Sequence, residues 1–370
     1  MILRIASKRG TEADIRDADG PLDREAILSW LREDNEIRLE ALWQRADAVR
    51  HAHVGDAVHL RGLIEISNYC IRQCGYCGLR AGHRDLERYR MTAVEILSCA
   101  HQASQFGYGT VVLQSGEDYG ITAEWLADVV RQIKVETGLA VTLSLGERPD
   151  PDLALWRAAG ADRYLLRFET SDPVLYRLIH PSLPPHPSDR LGILRTLRDL
   201  GYEVGSGIMV GIPGQSWDSL ASDLETFRAL DLDMIGVGPY ISHPATPLGS
   251  GEWTQVLPVG RQVPNTEEMV YKTVALTRLV CPEANIPSTT ALATINRENG
   301  REFGLMRGAN IVMPNLTPIA YREKYEIYPG KACINETAEA CQMCLRHRIE
   351  AIGRHVGSGA GGRMRGGALR

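Results

Sequence analysis

The amino-acid sequence predicts an α/β protein built as a (β/α)8 TIM-type barrel, with helices before it and a short extension after it. Three observations lead there. An apolar run of strand length followed by a segment of helical period recurs eight times between Leu63 and Met313. Caps and glycines punctuate the helical segments. Strand–helix alternation also demands a parallel sheet, because parallel strands need long crossovers, and eight such units in roughly 250 residues suit a closed barrel. The last two units have the weakest pattern, so an open or partial barrel of about six units is the alternative.

Residues 1–60 read as helical. Ile27, Trp30 and Leu31 lie on one face of 23–32, and Ile37, Leu39, Leu42 and Trp43 on one face of 34–50. This part caps or flanks the core. The first strand is the run Leu63, Ile64, Glu65, Ile66. Thr92 and Glu95 form a capping box that opens a helix to about Gln105, stopped by Gly107 and Gly109. Strand two is 110–114. Thr122 caps a helix with Trp125, Leu126, Val129, Val130 and Ile133 on one face, ending near Gly138. Strands three and four are 140–145 and 164–168, around a helix at 151–159 closed by Gly160. Helical pieces at 172–179 and 188–200 flank a proline-rich stretch, 181–187, before strand five at 204–210. Then come a helix at 216–230, strand six at 234–237, a long loop at 240–264 and a helix at 266–280. Strand seven at 284–286, a short helix at 302–307 and strand eight at 310–313 complete the set. The chain thus divides into helices (1–60), barrel (61–316), extension (317–352) and a Gly- and Arg-rich tail (353–370), expected to be mobile from 357.

The chain has 370 residues, 44% hydrophobic and 24% charged, an ordinary globular composition with material for a large core. A net charge of −5 argues against a nucleic-acid partner. No apolar leader follows Met1 and no run approaches the ~20 apolar residues of a membrane span, so a cytoplasmic protein without a membrane partner is expected. Eight cysteines in a reducing compartment point to metal ligands rather than disulfides. Six fall in two tight groups; Cys99 and Cys281 stand alone.

The first group, Cys70, Cys74 and Cys77, has C-x3-C-x2-C spacing directly after the first strand. Three thiolates on one loop can hold three corners of a cubane 4Fe–4S cluster, leaving one iron open. A zinc knuckle using His83 is disfavoured, since structural zinc sites usually take two separated pairs. With Tyr76 before the last cysteine, this loop resembles that of the radical SAM superfamily. The resemblance implies that the open iron binds S-adenosylmethionine, and that reductive cleavage of the S–C5′ bond yields a 5′-deoxyadenosyl radical.

A barrel places reactive groups at the C-terminal ends of its strands. Ser115, Gly116, Glu117 and Asp118 follow strand two; they are an ordinary polar turn or, beside a cluster loop, a site for an ammonium group. Arg167 and Glu169 end strand four, where an acid and a base bind a zwitterion or ribose hydroxyls, or pair with each other. Arg190 opens the helix before strand five. Met209, on a glycine-rich strand, packs in the core or on adenine. Thr289 and Thr290 follow strand seven and either cap a helix or bind an anion or polar head. His243 reads as a solvated loop histidine. Cys333, Cys341 and Cys344, spaced C-x7-C-x2-C, hold a second iron–sulfur cluster, a zinc or nothing.

Further motifs sharpen the resemblance. RGLIEISNYC at 61–70, RYRMT at 88–92, LQSGED at 113–118, TLSLGE at 142–147, GADRYLLR at 160–167, NIPSTT at 285–290 and IVMPN at 311–315 resemble the HydE family, the radical SAM maturases of FeFe-hydrogenase. The likeness spans roughly residues 20–350. It implies a full barrel with a long internal cavity. Tyr76, Ser115, Glu117, Arg167, Glu169, Arg190 and Met209 would hold S-adenosylmethionine. Thr289 and Thr290 would line the substrate or anion site, with Arg163, Tyr325 and Tyr328 near the cavity. The implied substrate is a cysteine-bound iron dicarbonyl cyanide complex, made by HydG and passed on toward HydF. A flavodoxin or ferredoxin type of electron donor is implied, and a dispensable accessory cluster at the C-terminal triplet. Two features depart from the pattern near the cofactor pocket: Phe168 where the family has histidine, and a longer 181–187 stretch.

Two other functions compete. One is a related radical enzyme on an organic, amino-acid-derived substrate, such as a methylornithine-synthase-like mutase or a biotin-synthase-like enzyme. The other is an iron–sulfur carrier or scaffold, which would not cleave S-adenosylmethionine.

Overall fold

Two helices lead into the barrel. A computed structural model describes residues 22–183, 188–253, 257–258 and 260–365. Helices α1 (Arg24–Arg32) and α2 (Glu36–Val54) precede strand β1 (Ala57–Ser67). Then follow α3 (Ala93–Gln105), β2 (Thr110–Ser115), α4 (Ala123–Thr137), β3 (Ala140–Ser144), α5 (Asp150–Ala158) and β4 (Arg163–Leu165). The second half holds α6 (Pro173–Ile179), α7 (Arg190–Asp199), β5 (Glu203–Val210), α8 (Trp217–Ala229), β6 (Met234–Pro239), α9 (Pro247–Ser250) and α10 (Glu267–Val280). Last come α11 (Thr290–Ile295), α12 (Gly300–Met306), β7 (Ile311–Val312), α13 (Ile319–Arg322), α14 (Ala338–Ala351) and β8 (His355–Val356). Among the described residues no helix is long and apolar enough to cross a membrane.

The strands run in the order β6-β5-β4-β3-β2-β1-β7, all pairs parallel. Between β6 and β7 the expected seventh strand is reduced to two parallel bridges, Met234 with Asn285 and Pro287 with Ile311. Those bridges join the two ends of the sheet. The expected fourth strand also breaks early. Glu169 has φ +62°, outside strand geometry, yet still bridges Ile208. The capping expectations hold: Thr92 and Glu95 form a reciprocal capping box, and Thr122 accepts from Trp125 N.

Side chains alternate across the barrel wall, as the period of two requires. Leu60, Ile64 and Ile66 of β1 join the apolar layer between sheet and helices, with Val111 and Leu113 of β2. The inward face sets buried charge beside Leu63. Arg61 and Glu65 are buried there, and on β6 a Cβ at Gly236 would come within 3.2 Å of Arg167 Nη1. Removing bulk from that wall leaves the interior to charged side chains, unlike the layered aliphatic filling of an ordinary TIM barrel.

The N-terminal helices lie outside the barrel. Ile27, Trp30 and Leu31 bury the inner face of α1, and Arg24 binds Glu225 of α8 at 2.5 Å.

The tail corrects the expectation of mobility. As far as Arg365 it is packed across the N-terminal mouth of the barrel; 366–370 lie outside the described residues. Strand β8 pairs with the start of β1. Gly361 O accepts from Arg61 (2.9 Å) and Asn285 (3.1 Å), and Ala360 O from Thr110 (2.9 Å) and Arg163 (3.1 Å). Arg363 and Arg365 bind Asp231 at 2.7 and 2.8 Å. Glycine composition here serves close approach: a Cβ at Gly361 would lie 2.5 Å from the His59 ring. Ending the chain at Val356 is expected to lower the thermal midpoint and to speed amide exchange at Thr110 and Asn285. Unchanged exchange there would show that the tail closes nothing.

Candidate active site at the barrel mouth

The cysteine loop leaves β1 at the C-terminal mouth and is stitched to four other segments. Ile71 N donates to Glu117 O (3.0 Å), Gly75 N to Ile179 O (2.8 Å), Gly78 N to Ile327 O (3.0 Å), and Leu248 N to Gly75 O (3.0 Å). Two loop glycines are sterically required. A Cβ at Gly75 would meet the Trp253 ring at 2.5 Å, and one at Gly78 would meet Glu326 O at 2.2 Å. His243, expected to be solvated, is buried against Gly78 and sits 3.4 Å from Glu326.

Cys70, Cys74 and Cys77 are free thiols. Burial pushes all three up, Cys77 to about 12, and the Cys70 charge raises both Cys74 and Cys77 further. Three thiols on one loop whose charges oppose one another ionise together only beside a compensating metal charge. The Glu117 amide donates to Cys70 Sγ at 3.4 Å. Gly116 allows that approach, since a Cβ there would lie 2.2 Å from Tyr69 O and 2.8 Å from Cys70 Cβ. The donor set therefore fits a cubane cluster with one open iron. Gly116→Ala is expected to displace Cys70 and cut the iron bound after anaerobic reconstitution; full iron occupancy would refute the contact's importance.

Beside the loop lies a chain of buried charges. Glu117 accepts from Arg72 (2.8 Å) and from Glu147 N (3.0 Å); Arg72 also reaches Glu147 at 3.0 Å. Glu147 continues to Arg190 at 3.0 Å. Arg190 donates to Arg167 O (2.6 Å) and to His180 Nε2 (2.6 Å). Burial, with Arg190 next, drives His180 down to about 2, so the ring is neutral and accepts. Glu117 is raised by burial and lowered by Arg72. Arg72, Glu147 and His180 went unrecognised in the sequence. Glu147 offered a signal, standing just past strand three at the expected barrel mouth.

Arg167 and Glu169 pair through Arg167 Nε at 3.0 Å, and the guanidinium also reaches Ile208 O. The left-handed backbone at Glu169, costing about 1–3 kcal/mol, turns its carboxylate to the same side as Arg167. Phe168 points the other way. It packs on Phe227 of α8 at 5.5 Å between sheet and helices, so the departure from the family pattern does not enter the pocket. Residues 184–187 of the proline-rich stretch lie outside the described residues. Met209 and Tyr76 share a second apolar cluster with Leu175, Ile179, Ile212 and Tyr240. Ser115 Oγ bonds Gly116 O at 2.5 Å, inside its own turn.

Deeper, the extension enters the barrel. Lys331 Nζ binds Glu65, whose other oxygen accepts from Asn315 at 2.9 Å. Tyr325 lies under Lys331, 5.2 Å from ring centroid to Nζ, and receives a bond from Gln114 at 3.2 Å. Tyr328 is raised by burial and feels the Arg167 charge. Thr289 caps α11, accepting from Leu292 N at 3.3 Å, with Thr290 opening that helix. Arg163 is not part of this group. It starts β4 at the opposite mouth, bound to Glu203 (2.6 Å), Thr110 (3.0 Å) and the tail.

Outside the barrel, Cys333, Glu336 and Cys341 bring their ligand atoms within 4.8 Å of one another. Cys341 hydrogen-bonds Cys333 and holds it down to about 6. Cys344 lies exposed beside them in a cleft of about 110 Å³ with Arg301 and Arg348.

Thiol triplet, barrel and mouth charges together define a class. The model of the radical SAM superfamily matches residues 64–227. The chain is 48% identical over 329 residues to the [FeFe] hydrogenase maturase subunit HydE of Thermotoga maritima, covering 88% of this chain and 89% of that one. It therefore belongs to the HydE family of radical SAM enzymes. The 3-methylornithine synthase of Methanosarcina acetivorans is 29% identical, with 78% and 77% of the two chains covered. The fold is shared with methylornithine synthase (TM-score 0.75, 24% identity, 93% and 97% covered). It is also shared with the maturase HydG of Carboxydothermus hydrogenoformans (0.68, 18%, 82% and 69%). The family implies a 4Fe–4S cluster and S-adenosylmethionine.

Proposed function

We propose that this protein cleaves S-adenosylmethionine reductively and acts on a cysteine-bound iron dicarbonyl cyanide complex during maturation of the FeFe-hydrogenase H-cluster. The observation that carries the reading is the free thiol triplet of Cys70, Cys74 and Cys77 at the barrel mouth, in a chain 48% identical to a HydE maturase. When bound, the cluster supplies the electron that breaks the S–C5′ bond to give the 5′-deoxyadenosyl radical.

This chain's residues bind and shield. Cys70, Cys74 and Cys77 hold the iron. Arg167, Glu169 and Arg190 present fixed charges to the amino, carboxylate and ribose groups of S-adenosylmethionine, and Tyr76 and Met209 cover adenine. Glu117, saturated by Arg72 and Glu147 N, orients the turn whose Ser115 and Gly116 face the ligand. Glu65, Lys331, Tyr325 and Tyr328 make a polar interior, and Thr289 and Thr290 face the substrate's anionic end. The reading places the protein in the cytoplasm, with a flavodoxin or ferredoxin donor and exchange with HydG and HydF. Cys333 and Cys341, with Cys344 swinging in, bind an accessory cluster.

Expression in a hydrogenase-maturation system lacking HydE tests the reading. Restored hydrogenase activity supports it. No restoration, together with tight binding of a free α-amino acid, would favour the mutase. No 5′-deoxyadenosine from the reduced, reconstituted protein would favour a scaffold.

A further inference from the structure

The segment Arg88, Tyr89, Arg90, Met91 folds back onto the cysteine loop. Tyr89 OH donates to Glu65 O at 2.7 Å and Met91 N to Ile66 O at 2.8 Å, which fixes the segment to β1. Arg90 takes Asp118 in a two-point contact at 2.7 and 2.8 Å and lies 3.9 Å over the Tyr69 ring. Arg88 does something different. Its Nη1 donates to Asn68 O (2.6 Å) and Leu79 O (2.8 Å), and its Nη2 to Arg80 O (2.9 Å) and His83 O (3.2 Å).

Those four carbonyls bracket the cysteines. Asn68 precedes Cys70, and Leu79, Arg80 and His83 follow Cys77. One planar guanidinium therefore ties the entry of the loop to its exit. Asn68 adds a fixed footing, with its amide donating to Glu87 O (2.8 Å) and Lys324 O (2.7 Å). All four Arg88 bonds go to neutral carbonyls. Two of those carbonyls stand two residues from a cysteine, Asn68 O before Cys70 and Leu79 O after Cys77.

We propose that Arg88 is the positioning residue of the cluster loop: it holds the three thiols in register by tying the loop's entry to its exit, and it fixes a positive charge at the carbonyls that flank the cysteines. This rests on the loop being a cluster site. Lysine is no substitute for the first role, because a single ammonium cannot span four carbonyls, but it keeps the second. A positive charge near a cluster favours its reduced, more negative state and so raises the potential.

The test compares wild type, Arg88→Met and Arg88→Lys, each reconstituted anaerobically with iron and sulfide. Readouts are circular dichroism, the rate of iron loss to a chelator, and the cluster potential followed by electron paramagnetic resonance without S-adenosylmethionine. Arg88→Met is expected to keep its helix content and lose iron at least about tenfold faster, roughly one charged hydrogen bond's worth. Its potential falls. Arg88→Lys, the milder variant for folding, regains the potential but not the slow iron loss. Wild-type iron loss and potential in Arg88→Met would overturn the proposal. So would a lowered thermal midpoint in both variants with unchanged cluster properties, which assigns Arg88 to the fold alone. A wild type that binds no iron would instead overturn the cluster reading, and the proposal with it.

Discussion

Cys74→Ala is expected to reduce 5′-deoxyadenosine formation to background while leaving a folded protein. Cys74 is the middle thiol of the triplet and is buried, so no water-borne thiol replaces it easily. With two cysteines left on the loop, a cubane has two unanchored irons and is lost or degraded. The cost to the fold is small by comparison, because the lost atom is one sulfur in a packed loop. The check is chromatography of the nucleoside after reduction with S-adenosylmethionine, beside the resonance spectrum. Retained cleavage would sink the cluster assignment. Cys341→Ala is the matched control: under the proposed function it is expected to remove only a second iron–sulfur signal while cleavage continues. Loss of hydrogenase maturation in that variant would show that the C-terminal site is essential.

Lys331→Met carries the largest expected loss of stability. Lys331 and Glu65 are both buried inside the barrel, and Glu65 keeps only Asn315 when the ammonium is removed. Leaving one member of a buried pair alone costs about 3–5 kcal/mol, whereas replacing both is often near neutral. With average unfolding entropies per residue, the thermal midpoint should fall by about 4–6 °C. Glu65→Gln combined with Lys331→Met should recover most of that, since glutamine still accepts from Asn315. If the double variant is as unstable as the single one, the pair's charge is not the cause. The same pair lies beside Tyr325 in the barrel interior, so under the proposed function substrate turnover should drop in the double variant even as stability returns.

Much of the architecture could be read from period and punctuation. Thr92, Thr122 and Gly138 sit where local hydrogen bonds demand them, so helix limits follow from near neighbours in the chain. The cysteine loop is equally local: three soft ligands within eight residues carry their chemistry in their spacing. Strand seven was harder, because two bridges leave almost no periodic signal. The tail misled for a related reason. Glycine and arginine usually mark solvated chain, but here Gly357, Gly361 and Gly362 admit close neighbours, and Arg363 and Arg365 meet acids from another part of the chain. Arg163 illustrates position without direction: its strand was right, yet it lies at the start of that strand and so at the far mouth.

The sequence by itself determined the barrel and the cysteine loop, because each depends on residues close together in the chain; the radical chemistry came with the family resemblance that those residues carry. Tertiary structure alone decided which charges meet: Arg72 with Glu117 and Glu147, Lys331 with Glu65. Such pairs join residues as many as 266 positions apart, and no local preference records them. It also decided that Phe168 turns away from the pocket, since a strand's two faces are told apart only by what packs on each.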